Sequence, residues 1–151
     1  MRENMGLYRG KRKDNGEWVE GDLIQLHDGR KYIVNNKFGA CIDDKGNFIN
    51  TEAPFVCEVD PETVGEHIGM TDRKGKKIFE GDITRTITFG FDKDVFITEI
   101  KFGARSGVQG FYLANGKMMF YWGQTDLTVM DDTEVIGNIH DNPELLQNTA
   151  N

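Results

Sequence analysis

Hydrophobic positions along this chain come in short runs rich in Val, Ile, Thr, Phe and Tyr, and glycine or Asp/Asn clusters punctuate almost every one. β-Branched and aromatic residues fit a pleated, half-buried surface, so the pattern predicts many strands and little helix. In the first part of the chain strands are expected at 18–26, 31–35, 38–42, 48–50 and 55–59, with turns at Asp14-Asn15-Gly16, His27-Asp28-Gly29 and Asp43-Asp44-Lys45-Gly46. The second part predicts strands at 82–89, 95–102, 110–114, 117–122, 127–130 and 134–139. Asn115-Gly116 is the preferred two-residue turn for an antiparallel hairpin and pairs Phe111, Tyr112 and Leu113 with Phe120, Met119 and Met118. Both faces of that hairpin carry bulk, as in a small closed barrel.

Two segments break the strand pattern. Asp60-Pro61-Glu62-Thr63 combines an N-capping carboxylate, a first-turn proline and an acid suited to the helix dipole, so one helical turn is expected near 61–65. Asn142-Pro143-Glu144 followed by Leu145 and Leu146 predicts a second short helix over 142–147.

One phrase occurs twice: Trp18-Val19-Glu20-Gly21-Asp22-Leu23 and Ile78-Phe79-Glu80-Gly81-Asp82-Ile83, each a few residues after a glycine, Gly16 or Gly75. Glycine adopts positive φ freely and a neighbouring Asp can bond main-chain N–H groups, so both copies are expected to fold as corners between strands. The alternative, that Glu20/Asp22 or Glu80/Asp82 are paired carboxylates for acid chemistry or a metal, lacks a histidine or further acid at a recurring spacing.

The formal net charge of -7 argues against bulk attraction to nucleic acid. Its distribution is uneven. From Gln124 onward the chain carries Asp126, Asp131, Asp132, Glu134, Asp141 and Glu144 and no Lys or Arg, whereas Arg9, Lys11, Arg12 and Lys13 form one basic cluster and Arg73, Lys74, Lys76 and Lys77 another. The candidate binding surface is therefore the basic loop Arg73, Lys74, Lys76, Lys77 together with the acidic residues Asp126, Asp131, Asp132 and Glu134. Two cysteines, Cys41 and Cys57, without a CxxC pair read as buried apolar residues rather than a disulfide framework. The charged start, Met1-Arg2-Glu3-Asn4-Met5, has no signal-like apolar region and no run is long enough to span a bilayer, so a soluble cytoplasmic protein without membrane contact is expected.

Catalytic chemistry finds no foothold in these residue patterns. His27-Asp28 and His140-Asp141 are neighbours whose side chains diverge in a strand, and His67 has no orienting acid beside Cys41 or Cys57. The glycine series from Gly103 to Gly110 lacks the Lys-Ser/Thr ending of a phosphate loop and leads into a strand, so it reads as a flexible loop. Phe111, Tyr112, Phe120, Tyr121 and Trp122 would suit base stacking, but core packing explains them with no extra assumption and is favoured because the surrounding sequence is acidic. No catalytic residue, cofactor or metal is implied.

Two longer stretches, Val59 to Ile83 with Val64-Gly65-Glu66-His67-Ile68-Gly69-Met70-Thr71-Asp72 at its centre, and Glu134-Val135-Ile136-Gly137-Asn138-Ile139-His140-Asp141-Asn142-Pro143-Glu144-Leu145-Leu146, resemble the two signatures of the YopX family. The resemblance implies a phage or prophage protein, mainly β, with a C-terminal SH3-like barrel over 57–151 and a smaller β-rich N-terminal part over 1–56. It carries no catalytic residues. Val64–Gly69 and Val135–Ile139, aliphatic and broken by glycine, would be the first and last strands that close the barrel. The expected function is a non-enzymatic accessory protein that binds a phage or host protein. The alternatives are an SH3-like module that binds nucleic acid through 73–77, and an acidic DNA mimic that inhibits a host enzyme.

Overall fold

In the computed structural model, residues 6–34, 45, 56–87, 95–105, 108–114, 129–130 and 132–147 are described. The protein is mainly β, with antiparallel pairing dominant and little helix. The chain divides into two compact units, Gly6–Glu66 and a second running from His67 onward.

In the first unit, β1 (Tyr8–Lys11), β2 (Trp18–Gln25), β3 (Lys31–Val34) and β4 (Val56–Val59) pair in sequence order, each antiparallel to the next. The turns before β2 and β3 are those expected. Asn15 accepts the Glu17 N–H at 2.9 Å, and Asp28 accepts that of Arg30 at 3.0 Å. The far end of β1 also meets β4: Arg12 bridges Val59, and Asp60 N–H donates to Lys11 O at 2.8 Å. Alternation sends Ile33, Cys57 and Val59 inward, all nearly sealed from solvent, and burial pushes the Cys57 thiol pKa up. After β4, Asp60 caps a single 3-10 turn, Pro61–Thr63, by accepting the Glu62 N–H at 3.1 Å, as its sequence predicts.

β5 (Gly65–Asp72) begins in the first unit, where Gly65 and Glu66 pair with Arg9 and Tyr8, and continues into the second. There it pairs with β6 (Lys77–Phe79) and, in parallel, with β10 (Val129–Met130). The remaining strands, β7 (Asp82–Ile87), β8 (Val95–Arg105), β9 (Val108–Leu113) and β11 (Thr133–Asn138), pair in the order β11-β7-β8-β9. α1 (Glu144–Gln147) supplies the short helix expected near the end of the chain. Ile68, Met70 and Ile78 from β5 and β6 meet Ile100, Leu113 and Val135 from β8, β9 and β11 in one core, with Phe111 packed against it. Burying each of these larger side chains contributes roughly 1.5–3 kcal/mol before chain entropy is counted.

Several expectations need correction. The first copy of the repeated phrase is not a corner: Glu20, Gly21 and Asp22 lie inside β2, where ladder partners on β1 and β3 keep the backbone extended and Gly21 sits opposite Tyr8. Only the second copy turns, with Gly81 at φ +88 between β6 and β7. The glycine series 103–110 is not a flexible loop either. β8 and β9 remain paired through Gly103↔Gly110 as far as Arg105↔Val108, and the absent side chain at Gly103 leaves room for the Tyr112 ring. Tyr8–Lys11, overlapping the first basic cluster and not among the expected strands, is a strand whose Arg9 and Lys11 lie over the Trp18 ring, at 4.8 and 5.5 Å from its centre.

The first compact unit runs to Glu66, and β4 belongs to the ladder of β3. Among the described residues no pairing closes a sheet on itself, so the structure gives two open strand paths where a closed SH3-like barrel was expected. The strands expected at 38–42, 48–50 and 117–122 and the Asn115-Gly116 turn lie outside the described residues. No helix among the described residues is long and apolar enough to cross a membrane.

Candidate functional site

The hairpin of β5 and β6 carries the basic loop 73–76, and its root is an aspartate. Asp72 is 1% exposed. Its Oδ1 accepts the N–H groups of Lys74 and Lys76, each at 2.9 Å, and its Oδ2 accepts that of Val135 on β11, also at 2.9 Å. Burial raises the pKa of this carboxyl, but the three main-chain donors at Val135, Lys76 and Lys74 outweigh it and hold the group below the usual carboxylate range. One side chain thus shapes the loop and fastens it to a strand far away in sequence.

Around that root the two charged surfaces singled out from sequence come together. Arg73 N–H donates to Thr133 O at 2.9 Å, and Lys74 Nζ makes an ion pair with Glu134. That hydrogen bond, together with Arg73 and Arg85 nearby, holds the Glu134 carboxyl below its ordinary pKa. Asp132 accepts the Thr133 hydroxyl at 3.1 Å. Lys76 on this loop and Lys77 at the start of β6 are exposed. Asp126 and Asp131 lie outside the described residues. The basic loop is therefore already matched in part by the acidic strand.

The second Glu-Gly-Asp corner lies at the other end of β11. Asp82, 1% exposed, closes the turn by accepting the Phe79 N–H at 2.8 Å. Gly81 N–H donates to Ile100 O and Gly81 O accepts the Ile139 N–H, both at 2.9 Å, so the corner is tied to β8 and to the end of β11. Positive φ at this position favours glycine. His140 lies against the corner: a Cβ on Gly81 would sit 3.9 Å from its Nε2. Sequence reasoning did not bring this histidine to Glu80-Gly81-Asp82, because only the pairing of Asn138 with Asp82 does so.

Beyond β11 the chain is turned by asparagines. Asn138 Oδ1 accepts the N–H groups of His140 and Asp141 at 3.0 and 2.9 Å, and Asn142 N–H returns to Asn138 O at 2.8 Å. Gly137 is needed for close approach. A Cβ there would lie 2.6 Å from Asn142 Oδ1 and 2.9 Å from Leu145 Cδ1.

Chemically, this arrangement is a framework. Both oxygens of Asp72 and one of Asp82 accept main-chain N–H groups, and for Asp72 these donors hold the carboxyl below its usual range, so it stays ionised near neutral pH. Among the described residues no group of three or more His, Cys, Asp and Glu side chains gathers to hold a metal. Of the stacking candidates, Tyr112 is buried and Phe111 packs on the core, in an edge-to-face contact with Phe102 at 5.0 Å; Phe120, Tyr121 and Trp122 lie outside the described residues.

The family described as YopX protein matches residues 7–147. Among solved structures the chain is similar to the crystal structure of protein EF1440 from Enterococcus faecalis, with 22% identity, a TM-score of 0.50, and coverage of 92% of this chain and 96% of that one. At that identity the likeness speaks for the fold alone. Comparison with curated proteins found no match.

Proposed function

This chain belongs to the YopX family, and from that premise we propose that it is a non-enzymatic accessory protein of a phage or prophage that acts in the bacterial cytoplasm by holding another protein. The observation that carries this reading is the use made of the acids in the two signature segments. Asp72 and Asp82 accept main-chain N–H groups, and Glu134 pairs with Lys74, so the most distinctive charged residues serve the framework. Large apolar side chains meanwhile stand on strand surfaces: Ile24, Val56, Val95 and Phe102 are each at least 42% exposed. Exposed apolar groups among polar ones are the usual raw material of a protein interface.

We read the second unit as an SH3-like barrel; the support is that β5 and β6 share one core with strands of the β11-β7-β8-β9 sheet. The nucleic-acid and DNA-mimic readings have less behind them. Each needs a one-signed surface, and Lys74 and Glu134 partly neutralise one another.

The test is capture from an infected or induced host with tagged protein, followed by reassembly of the complex from purified components. A defined protein that binds in both steps supports the proposal. A turnover activity that disappears in Glu80→Gln or Asp82→Asn while the fold persists overturns it.

A further inference from the structure

We propose that Asn15 is a site of spontaneous deamidation that the β1–β2 turn holds in check, and that its isoaspartate product opens the interior of the first unit. The chemistry needs only this chain and water. The main-chain nitrogen of Gly16 attacks Cγ of Asn15; a C–N bond forms as the C–NH2 bond breaks, and ammonia leaves with the proton that Gly16 gives up. Water then opens the cyclic imide at one carbonyl to give Asp, or at the other to give isoaspartate. Glycine after asparagine places no side chain in the way of that attack. Asn15 and Gly16 are exposed, so water reaches both.

Within the turn both reacting groups are committed elsewhere. Gly16 N–H donates to Arg12 O at 2.9 Å, which withholds the nucleophile. Asn15 Oδ1 accepts the Glu17 N–H at 2.9 Å and its Nδ2 donates to Glu17 Oε2 at 3.2 Å, so the side-chain amide is fixed toward Glu17. Arg12 N–H donates to Glu17 O at 2.9 Å and closes the turn around them. The reaction therefore waits on local opening of this turn and not on unfolding of the whole unit. What the product disturbs follows from the neighbours. Isoaspartate routes the main chain through the former side chain and adds a methylene, which puts Arg12, Gly16 and Glu17 out of register. Arg12 and Lys13 are also where the end of β1 joins β4, through the bridge to Val59 and the Lys13 N–H donated to Glu58 O at 3.0 Å. Val59 and Cys57 on that strand are 0% and 5% exposed, so releasing the join lets solvent into the interior.

The full chain is incubated at mildly alkaline pH beside a synthetic peptide spanning Gly10 to Glu20, and peptide mapping by mass spectrometry follows Asn15 separately from Asn115. Asn15 in the native protein should react at least about tenfold more slowly than in the peptide or in urea-unfolded protein. Across urea concentrations below the unfolding transition its rate should follow hydrogen exchange at Gly16. The isolated isoaspartyl protein should expose Cys57 to alkylation, whereas Asn15→Asp, with a carboxylate on an ordinary main chain, should keep it protected. Equal rates in native protein and peptide, a peptide that does not react, or a rate that follows amide exchange of Ile33 on β3 would overturn the turn as the gate. Cys57 that stays protected in the isoaspartyl protein, or that is exposed equally in Asn15→Asp, would overturn the coupling to the interior.

Discussion

Replacing Asp72 with Asn tests the framework reading at its root. The substitution preserves shape but turns one carboxylate oxygen into an NH2 group. If the amide oxygen keeps the Lys74 and Lys76 N–H groups, the NH2 faces the buried Val135 N–H, which is 2.9 Å from the oxygen in the native protein. A hydrogen bond to a charged group contributes about 1.5–3 kcal/mol net, and leaving a buried donor unmatched costs about 1–3 kcal/mol. Because these overlap, the expected loss is about 2–4 kcal/mol, a large share of a typical domain's stability of roughly 5–15 kcal/mol. For a chain of this size that corresponds to a fall in Tm of about 5–15 °C.

Thermal and urea unfolding followed by circular dichroism measures the loss, and hydrogen exchange at Val135 reports it locally. The pH dependence supplies a second check. The folded pKa of Asp72 lies below its unfolded value, so its contribution is complete above about pH 4 and is lost as pH falls through the folded value. Asp72→Asn should therefore show a flatter stability profile below about pH 4 than the native protein. A variant within about 0.5 kcal/mol of native stability, with an unchanged acid profile and a still-protected Val135 amide, would refute the reasoning.

Four further outcomes follow from other features of the fold. Thr98 is 2% exposed and its Oγ1 has no hydrogen-bond partner among the described residues, so Thr98→Val should stabilise the protein by about 1 kcal/mol in urea melts; a comparable destabilisation would mean that the hydroxyl is paired. Gly81→Ala should cost about 1–2 kcal/mol through its positive φ, and Gly137→Ala about 1–3 kcal/mol through its clash with Asn142 and Leu145, whereas neutral substitutions would show that neither position constrains the fold. A double-mutant cycle on Lys74 and Glu134 should give a small coupling that shrinks as salt is added, since the lysine is largely in solvent; a coupling insensitive to salt would contradict the exposed geometry.

The candidate site was legible in part. Asp60-Pro61-Glu62 and Asn142-Pro143-Glu144 announced their helical turns because capping is a local matter of a few neighbouring residues. The Glu80-Gly81-Asp82 corner was readable for the same reason. The identical wording at Glu20-Gly21-Asp22 misled, since Gly21 is held extended in the β1–β2 ladder opposite Tyr8, whereas Gly81 takes a positive φ between β6 and β7. Likewise the glycines from 103 to 110 read as a loop until the ladder between β8 and β9 overrode their flexibility. Neither Asp72 as a clasp nor His140 beside the corner carried a local signal.

The amino-acid order by itself determined the β-rich character, the turns at Asp14-Asn15-Gly16 and His27-Asp28-Gly29, the two helical turns and the family, since alternation, turn chemistry and capping act over short separations. Only the tertiary structure decided that Asp72 clasps Val135, that Lys74 meets Glu134 and that Ile24 and Val56 share an open face. Those facts depend on which strands lie side by side and in what register, and a shift of one residue would send every side chain to the opposite face.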